Sequence, residues 1–253
     1  MSEIFNDFFF SESKVKGILC EETSQSNSSY LEVTDAFSRA IYMSVYIIDY
    51  EKKNFEYVSD NPLFLCGNTA EEVKKMGYEF YFKYVQKSDA DLLLKVNQLG
   101  FEFYEKIPVS ERKYYTLSYD IHLLNNNKAV LVNQKLTPLF LTEEGKIWKA
   151  MGVVSLSTSA NSGNITISRQ GTNDYWRYDT KDGVWRNEEK IKLTERELDV
   201  LRYYAQGYTI NKIAEKIFVS PDTIKFHRRK LFEKMQVNNI SEALAFVTSN
   251  KLL

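Results

Sequence analysis

Residues 193–244 read LTERELDVLRYYAQGYTINKIAEKIFVSPDTIKFHRRKLFEKMQVNNISEAL, and their caps and apolar spacing predict four consecutive helices. Thr194 and Glu197 stand at capping-box spacing, where each side chain satisfies a backbone N–H of the other. Leu193 and Leu198 flank that box as a hydrophobic staple. Leu198, Leu201 and Ala205 recur at helical spacing until Gly207, which suits a left-handed stop. Thr209 then caps a short helix with Ile213, Ala214 and Ile217 on its inner face. After the turn Phe218-Val219-Ser220, Ser220 is an N-cap and Pro221 takes the first helical position, where a missing N–H does no harm. The third helix runs from Pro221 to about Met235, with Ile224, Leu231 and Met235 inward. Asn239 and Glu242 mark a fourth, carrying Leu244 and Val247.

A short helix, a tight turn and a longer helix form the geometry that places a helix in the major groove of DNA. Lys225, Arg228, Arg229, Lys230 and Lys234 crowd the outer face of the third helix, with Thr223 and Lys225 near its leading end. Cations there neutralise phosphates, and Arg and Lys also pair with guanine edges. The caps at Ser220 and Thr209 leave backbone N–H groups facing outward, which suits phosphate. Residues 191–253 carry eleven Lys/Arg against seven Asp/Glu, a net +4, and the rest of the chain is at −5. A solvated basic face on a small bundle would account for the charge alone; the combined spacing favours DNA binding.

The stretch resembles the LuxR/FixJ-type (GerE-like) DNA-binding domain over nearly its whole length. The matching residues are Leu193-Thr194-Glu195-Arg196-Glu197, Gly207, Ile213-Ala214, Val219-Ser220, Thr223-Ile224-Lys225, His227, Leu231, Lys234 and Glu242-Ala243. The resemblance implies that the third helix reads the groove and that the fourth mediates dimer contacts. It puts Lys225, Phe226 and Arg229 at base edges, and Thr209, Lys212, Ser220, Thr223 and Lys230 at phosphates. It gives His227 a structural role. Ile240 departs from the family, which often has arginine there.

Upstream, a helical pattern runs from Tyr30 to about Met43, and VYIIDYEKKNFEYVSDN then reads as a β-hairpin. TAEEVKKM and SDADLLLKVNQL are helical; Ser88 suits the cap of the second, with Asp89 and Asp91 in its first turn. KYYTLSYDIHLL, KAVLVNQKLTPLF and KIWKAMGVVSLS are three strands separated by turns, an antiparallel meander. Two strands, a few helices and three strands resemble a PAS domain over about residues 36–158, chiefly through FEYVSDNPLFLCGNTAEEV and KYVQKSDADLL. PAS domains sense signals or dimerise, so the resemblance implies a signal coupled to DNA binding. ITISRQ, DYWRYD and VWRNEE, with a turn at Thr180-Lys181-Asp182-Gly183, read as a β-hairpin connector. The expected organisation is α+β: a polar segment at 1–29, a PAS-like domain at 30–158, the connector at 159–190 and a four-helix helix-turn-helix domain at 191–253.

The remaining composition is exclusionary. No apolar run reaches the length of a membrane span, and the start shows no secretory pattern, so a cytoplasmic location is expected. Cys20 and Cys66 read as free thiols, and with only His122 and His227 present no metal site is expected. Cys66 lacks the surroundings of a flavin photosensor, His122 suits packing better than haem ligation, and no cofactor is expected. Helix capping explains Asp89 and Asp91 better than acid–base catalysis, and no catalytic constellation marks an enzyme. A phosphorylated receiver domain would need repeated β-α units, which the three consecutive strands contradict. An acyl-lactone sensor stays open as a second identity for the N-terminal domain. A sigma-factor-like subunit would need an upstream basic aromatic helix, which is missing. The expected partners are double-stranded DNA, a second copy of the chain, RNA polymerase and a small-molecule ligand of the N-terminal domain; the alternative gives that domain interaction or dimerisation alone.

Overall fold

The computed structural model describes residues 27–172, 174–189, 191–249 and 252. They fall into two compact units that divide between Glu188 and Glu189. Residues 1–26, including Cys20, lie outside the described residues.

The N-terminal unit begins with helix α1 (Asn27–Ala40), three residues ahead of the expected start. Strands β1 (Ser44–Asp49) and β2 (Asn54–Val58) form the hairpin. Helices α2 (Pro62–Leu65), α3 (Ala70–Met76), α4 (Glu79–Tyr84) and α5 (Ala90–Glu105) follow. Local chemistry sets these short helices: Asn61 accepts a bond from Leu63 N, and Thr69 and Glu72 make a reciprocal capping box. Then come β3 (Tyr115–Asn125), β4 (Lys128–Leu141) and β5 (Ile147–Leu156), the expected meander. Two strands, helices and three strands is the order that the PAS resemblance implies.

The segment read as a hairpin connector is three strands of the same sheet: β6 (Gly163–Arg169), β7 (Asp174–Asp179) and β8 (Val184–Glu189). The strand order is β2-β1-β5-β4-β3-β6-β7-β8, and β6 pairs antiparallel with β3 from Tyr115↔Arg169 to Asp120↔Gly163. Ile165 and Ile167 are fully buried in the main core. Trp176 and Trp185 set their rings against Phe103 of α5 at centroid distances of 5.4 and 5.1 Å. These strands are therefore an integral part of the N-terminal unit.

The core lies between one face of the sheet and α2–α5, and it is unusually aromatic. The Tyr46 and Tyr119 hydroxyls both donate to Gln134 Oε1, at 3.0 and 2.9 Å, and the Tyr81 hydroxyl donates to that of Tyr46 at 3.1 Å. Gly152, next to Tyr46 in the β1–β5 register, leaves room for the ring: a Cβ there would lie 2.1 Å from Tyr46 Cζ. On the opposite face α1 is anchored by a buried ion cluster. Lys149 Nζ donates to Glu56 Oε1 at 2.8 Å and to the Tyr30 hydroxyl at 3.0 Å, and lies 3.7 Å from Asp49 Oδ2. The Lys149 side chain is 1% exposed.

Tertiary bonding displaces the expected cap of α5. Ser88 lies in a 3₁₀ turn, Lys87–Asp89, and Asp89 occupies the N-cap position without a side-chain cap bond. Asp89 Oδ2 instead accepts from His122 N and contacts His122 Nδ1, both at 2.8 Å, while Oδ1 accepts from Ser162 Oγ at 3.0 Å. His122 thus ties β3 to the start of α5. Burial raises the Asp89 carboxyl, but the bonds from His122 and Ser162 outweigh it and hold the pKa below the usual carboxylate range.

In the C-terminal unit α6 (Glu195–Ala205), α7 (Ile210–Lys216), α8 (Pro221–Met235) and α9 (Ile240–Ser249) reproduce the four expected helices. Val200, Leu201, Ile213, Ile224, Leu231, Ala243 and Val247 are fully buried. No helix among the described residues is long and apolar enough to cross a membrane.

Candidate nucleic-acid interface

Every helix start in the C-terminal unit is fixed by a local bond. Thr194 Oγ1 accepts from Glu197 N at 3.3 Å while Glu197 Oε2 accepts from Thr194 N at 2.8 Å. Thr209 Oγ1 accepts from Lys212 N at 3.4 Å, and Ser220 Oγ from Thr223 N at 3.1 Å. The Ser220 and Thr223 hydroxyls also bond to each other at 2.9 Å. Between α7 and α8 the chain turns through Phe218 at φ 58°, a left-handed conformation that disfavours a bulky residue, and the ring is 93% exposed. Asn239 Oδ1 caps α9 through Glu242 N at 2.9 Å. Ile240, the departure from the family pattern, packs against the core of the unit.

Lys225, Phe226 and Arg229, the residues expected at base edges, line one open concavity of about 720 Å³ with Asp222, Phe232 and Gln236. None of the residues expected at phosphates lines it: Ser220 and Thr223 sit at the start of α8, Thr209 and Lys212 at the start of α7, and Lys230 one turn beyond Phe226. Arg228, Arg229 and Lys230 form no ion pair with a carboxylate among the described residues. Lys225 pairs with Asp222 and Lys212 with Glu215, each at 2.9 Å and solvent-exposed. Such surface pairs contribute little and exchange readily for a phosphate. Asp222 was not singled out from the sequence; its spacing of three from Lys225 is the signal that would have found it.

One of the five expected outer cations is placed elsewhere. Lys234 Nζ bonds both oxygens of Glu197, at 2.9 and 3.1 Å, and the carbonyl of Lys192 at 3.0 Å. It extends the capping box of α6 and clamps α8 to it. Burial pushes the Glu197 carboxyl up, but the bonds from Thr194 and Lys234 prevail and hold it below the usual range. A lowered folded pKa gives stability that is present above the unfolded carboxylate pKa and lost as pH falls through the folded one. Glu197→Gln is therefore expected to lower the denaturation midpoint of the C-terminal unit at neutral pH and to flatten its acid limb. An unchanged acid limb would show that the cluster is not ionic.

Residues 192–247 match the family model described as bacterial regulatory proteins, luxR family, so the C-terminal unit carries that helix-turn-helix domain. The oxygen regulatory protein NreC of Staphylococcus haemolyticus is 32% identical over 90 residues, 36% of this chain and 42% of its own length. The fimbriae Z protein of Salmonella typhimurium is 38% identical over 63 residues, 25% of this chain and 30% of its own. The DNA-binding transcriptional activator EvgA of Escherichia coli is 33% identical over 60 residues, 24% and 29% of the two chains. The chain spans less than half the length of these curated relatives. Among solved structures, a phage VqmA–DPO complex aligns at 17% identity and a TM-score of 0.34, over 91% of both chains. A Vibrio cholerae VqmA dimer without target DNA aligns at 16% and 0.35, over 88% of both.

Proposed function

We propose that this protein is a transcription regulator in which α8 reads the major groove and the N-terminal unit adjusts that binding in response to a signal. The observation that carries the reading is the concavity on α8, inside a luxR-family domain, where Lys225, Arg228 and Arg229 outnumber Asp222 and Glu233 and the two arginines pair with no carboxylate among the described residues. Lys225, Phe226 and Arg229 contact base edges; Thr209, Lys212, Ser220, Thr223 and Lys230 hold the flanking phosphates. Two copies bind a pseudo-palindromic site, since two-fold symmetry doubles the short readout of one helix. RNA polymerase is the further protein partner of such a regulator. The reading requires no catalytic step, and it assigns DNA binding to residues 191–253 and sensing to the sheet-bearing unit.

The test is selection of random duplexes by the full-length protein, repeated with Lys225→Ala and Arg229→Ala. A two-fold-related motif is expected, and each variant should lose about 1–3 kcal/mol on it. Selection without any motif, by both the full chain and residues 188–253, would remove the reading.

One observation favours a second reading, in which the N-terminal unit is an interaction or dimerisation module without a ligand. The cavity among Tyr46, Tyr50, Tyr81, Leu93, Asn97 and Tyr119 has only about 10 Å³ for the centre of a water-sized guest. That is room for about one water. Extraction and mass spectrometry of the purified protein separate the two: a recovered small molecule supports sensing, and none at stoichiometric yield supports the interaction module.

A further inference from the structure

Phe226 is an apolar side chain on a cationic surface. It is 44% exposed, lies outside the hydrophobic core of its unit and lines the same concavity as Lys225 and Arg229. Two side chains flank its ring: Lys230 Nζ sits 4.7 Å from the centroid, and the His227 ring meets it edge-on at 5.9 Å. Nearly half of the aromatic surface is thus left outside the core, beside Lys230 and His227.

In the major groove every base pair presents donors and acceptors, and A·T pairs add an apolar group, the C5-methyl of thymine. A half-exposed ring on a groove-reading helix, flanked by cations, matches that group. We propose that Phe226 is a specificity-determining residue that packs on a thymine C5-methyl, so that each half-site carries a preferred thymine beside the base pair read by Lys225 or Arg229. This rests on the DNA-reading function proposed above. A methyl reader discriminates thymine from cytosine through the methyl itself. It follows that 5-methylcytosine is accepted at that position better than cytosine.

The test uses the full-length protein and the duplex recovered by selection, with each thymine of one half-site replaced in turn by deoxyuridine, which removes the methyl alone. At one position the substitution is expected to weaken binding about fourfold, the value of one buried methyl-sized group. The penalty should vanish in Phe226→Ala, and duplexes with cytosine there should gain affinity on 5-methylation. Wild-type protein indifferent to deoxyuridine at every thymine would overturn the proposal, as would a Phe226→Ala variant that keeps the full penalty. Either result leaves DNA reading intact, because the protein still binds the selected duplex; failure to recover a duplex at all removes that reading and this one together.

Discussion

Lys149→Met will destabilise the N-terminal unit by about 3–5 kcal/mol, although methionine is the more hydrophobic side chain of similar length. Lys149 is buried with Asp49 and Glu56 on its ammonium, and Tyr30 completes the cluster. Removing the cation leaves two carboxylates facing each other beneath α1, with the Tyr30 hydroxyl donating to one of them at 2.5 Å. An uncompensated buried charge is what makes the loss of one partner so costly, whereas a buried pair as a whole contributes far less. Lys149→Met combined with Glu56→Gln should therefore recover part of the loss. Urea denaturation followed by circular dichroism measures both. A change below about 1 kcal/mol in the single variant would mean that water reaches the cluster and screens it.

Gly152→Ala should cost about 3 kcal/mol, at the upper end for one added methyl group in a packed core. Its Cβ would fall 2.1–2.5 Å from three atoms of the Tyr46 ring. That ring cannot simply withdraw. It stacks on Phe64 at 4.6 Å, donates to Gln134 and accepts from Tyr81, so its displacement opens the hydroxyl network of the core. Tyr46→Leu removes the obstructing ring, and in that background the alanine should be nearly neutral. A penalty of equal size in both backgrounds would show that strand geometry, not the ring, demands glycine at this position.

Local rules made much of the molecule legible. Thr194/Glu197, Ser220-Pro221 and Asn239/Glu242 mark the helix starts of the C-terminal unit because a cap is a bond within four residues. The three meander strands were legible from their alternation and their turns, to within two residues. What escaped was set by partners distant in sequence. The period-two pattern of residues 163–189 shows that strands exist, but not that β6 pairs with β3. Asp89 fits a helix cap on spacing alone, yet His122, 33 residues on, takes its carboxylate. Lys234 belongs with the outer cations on a helical wheel, and only the fold brings Glu197 to it across 37 residues. Lys149 reads as an ordinary outward residue of β5 until α1 covers it.

On the surface proposed to face DNA, one helix carries all three residues expected at base edges. Lys225, Phe226 and Arg229 share a concavity because Arg229 follows Phe226 by three residues and Lys225 by four, the spacings that make side chains neighbours on α8. Asp222 was missed there because its mark, a three-residue spacing to Lys225, signals a surface pair rather than the core.

The most direct test of groove reading by α8 is a comparison of wild type and Arg229→Ala on the selected duplex and on its complete set of single base-pair changes, at fixed salt. The expected result is one base pair per half-site at which wild type discriminates by about 1–3 kcal/mol and Arg229→Ala does not, with discrimination elsewhere unchanged. Uniform weakening at every position would reduce Arg229 to a phosphate contact, and unchanged affinity throughout would contradict groove reading by this face of α8.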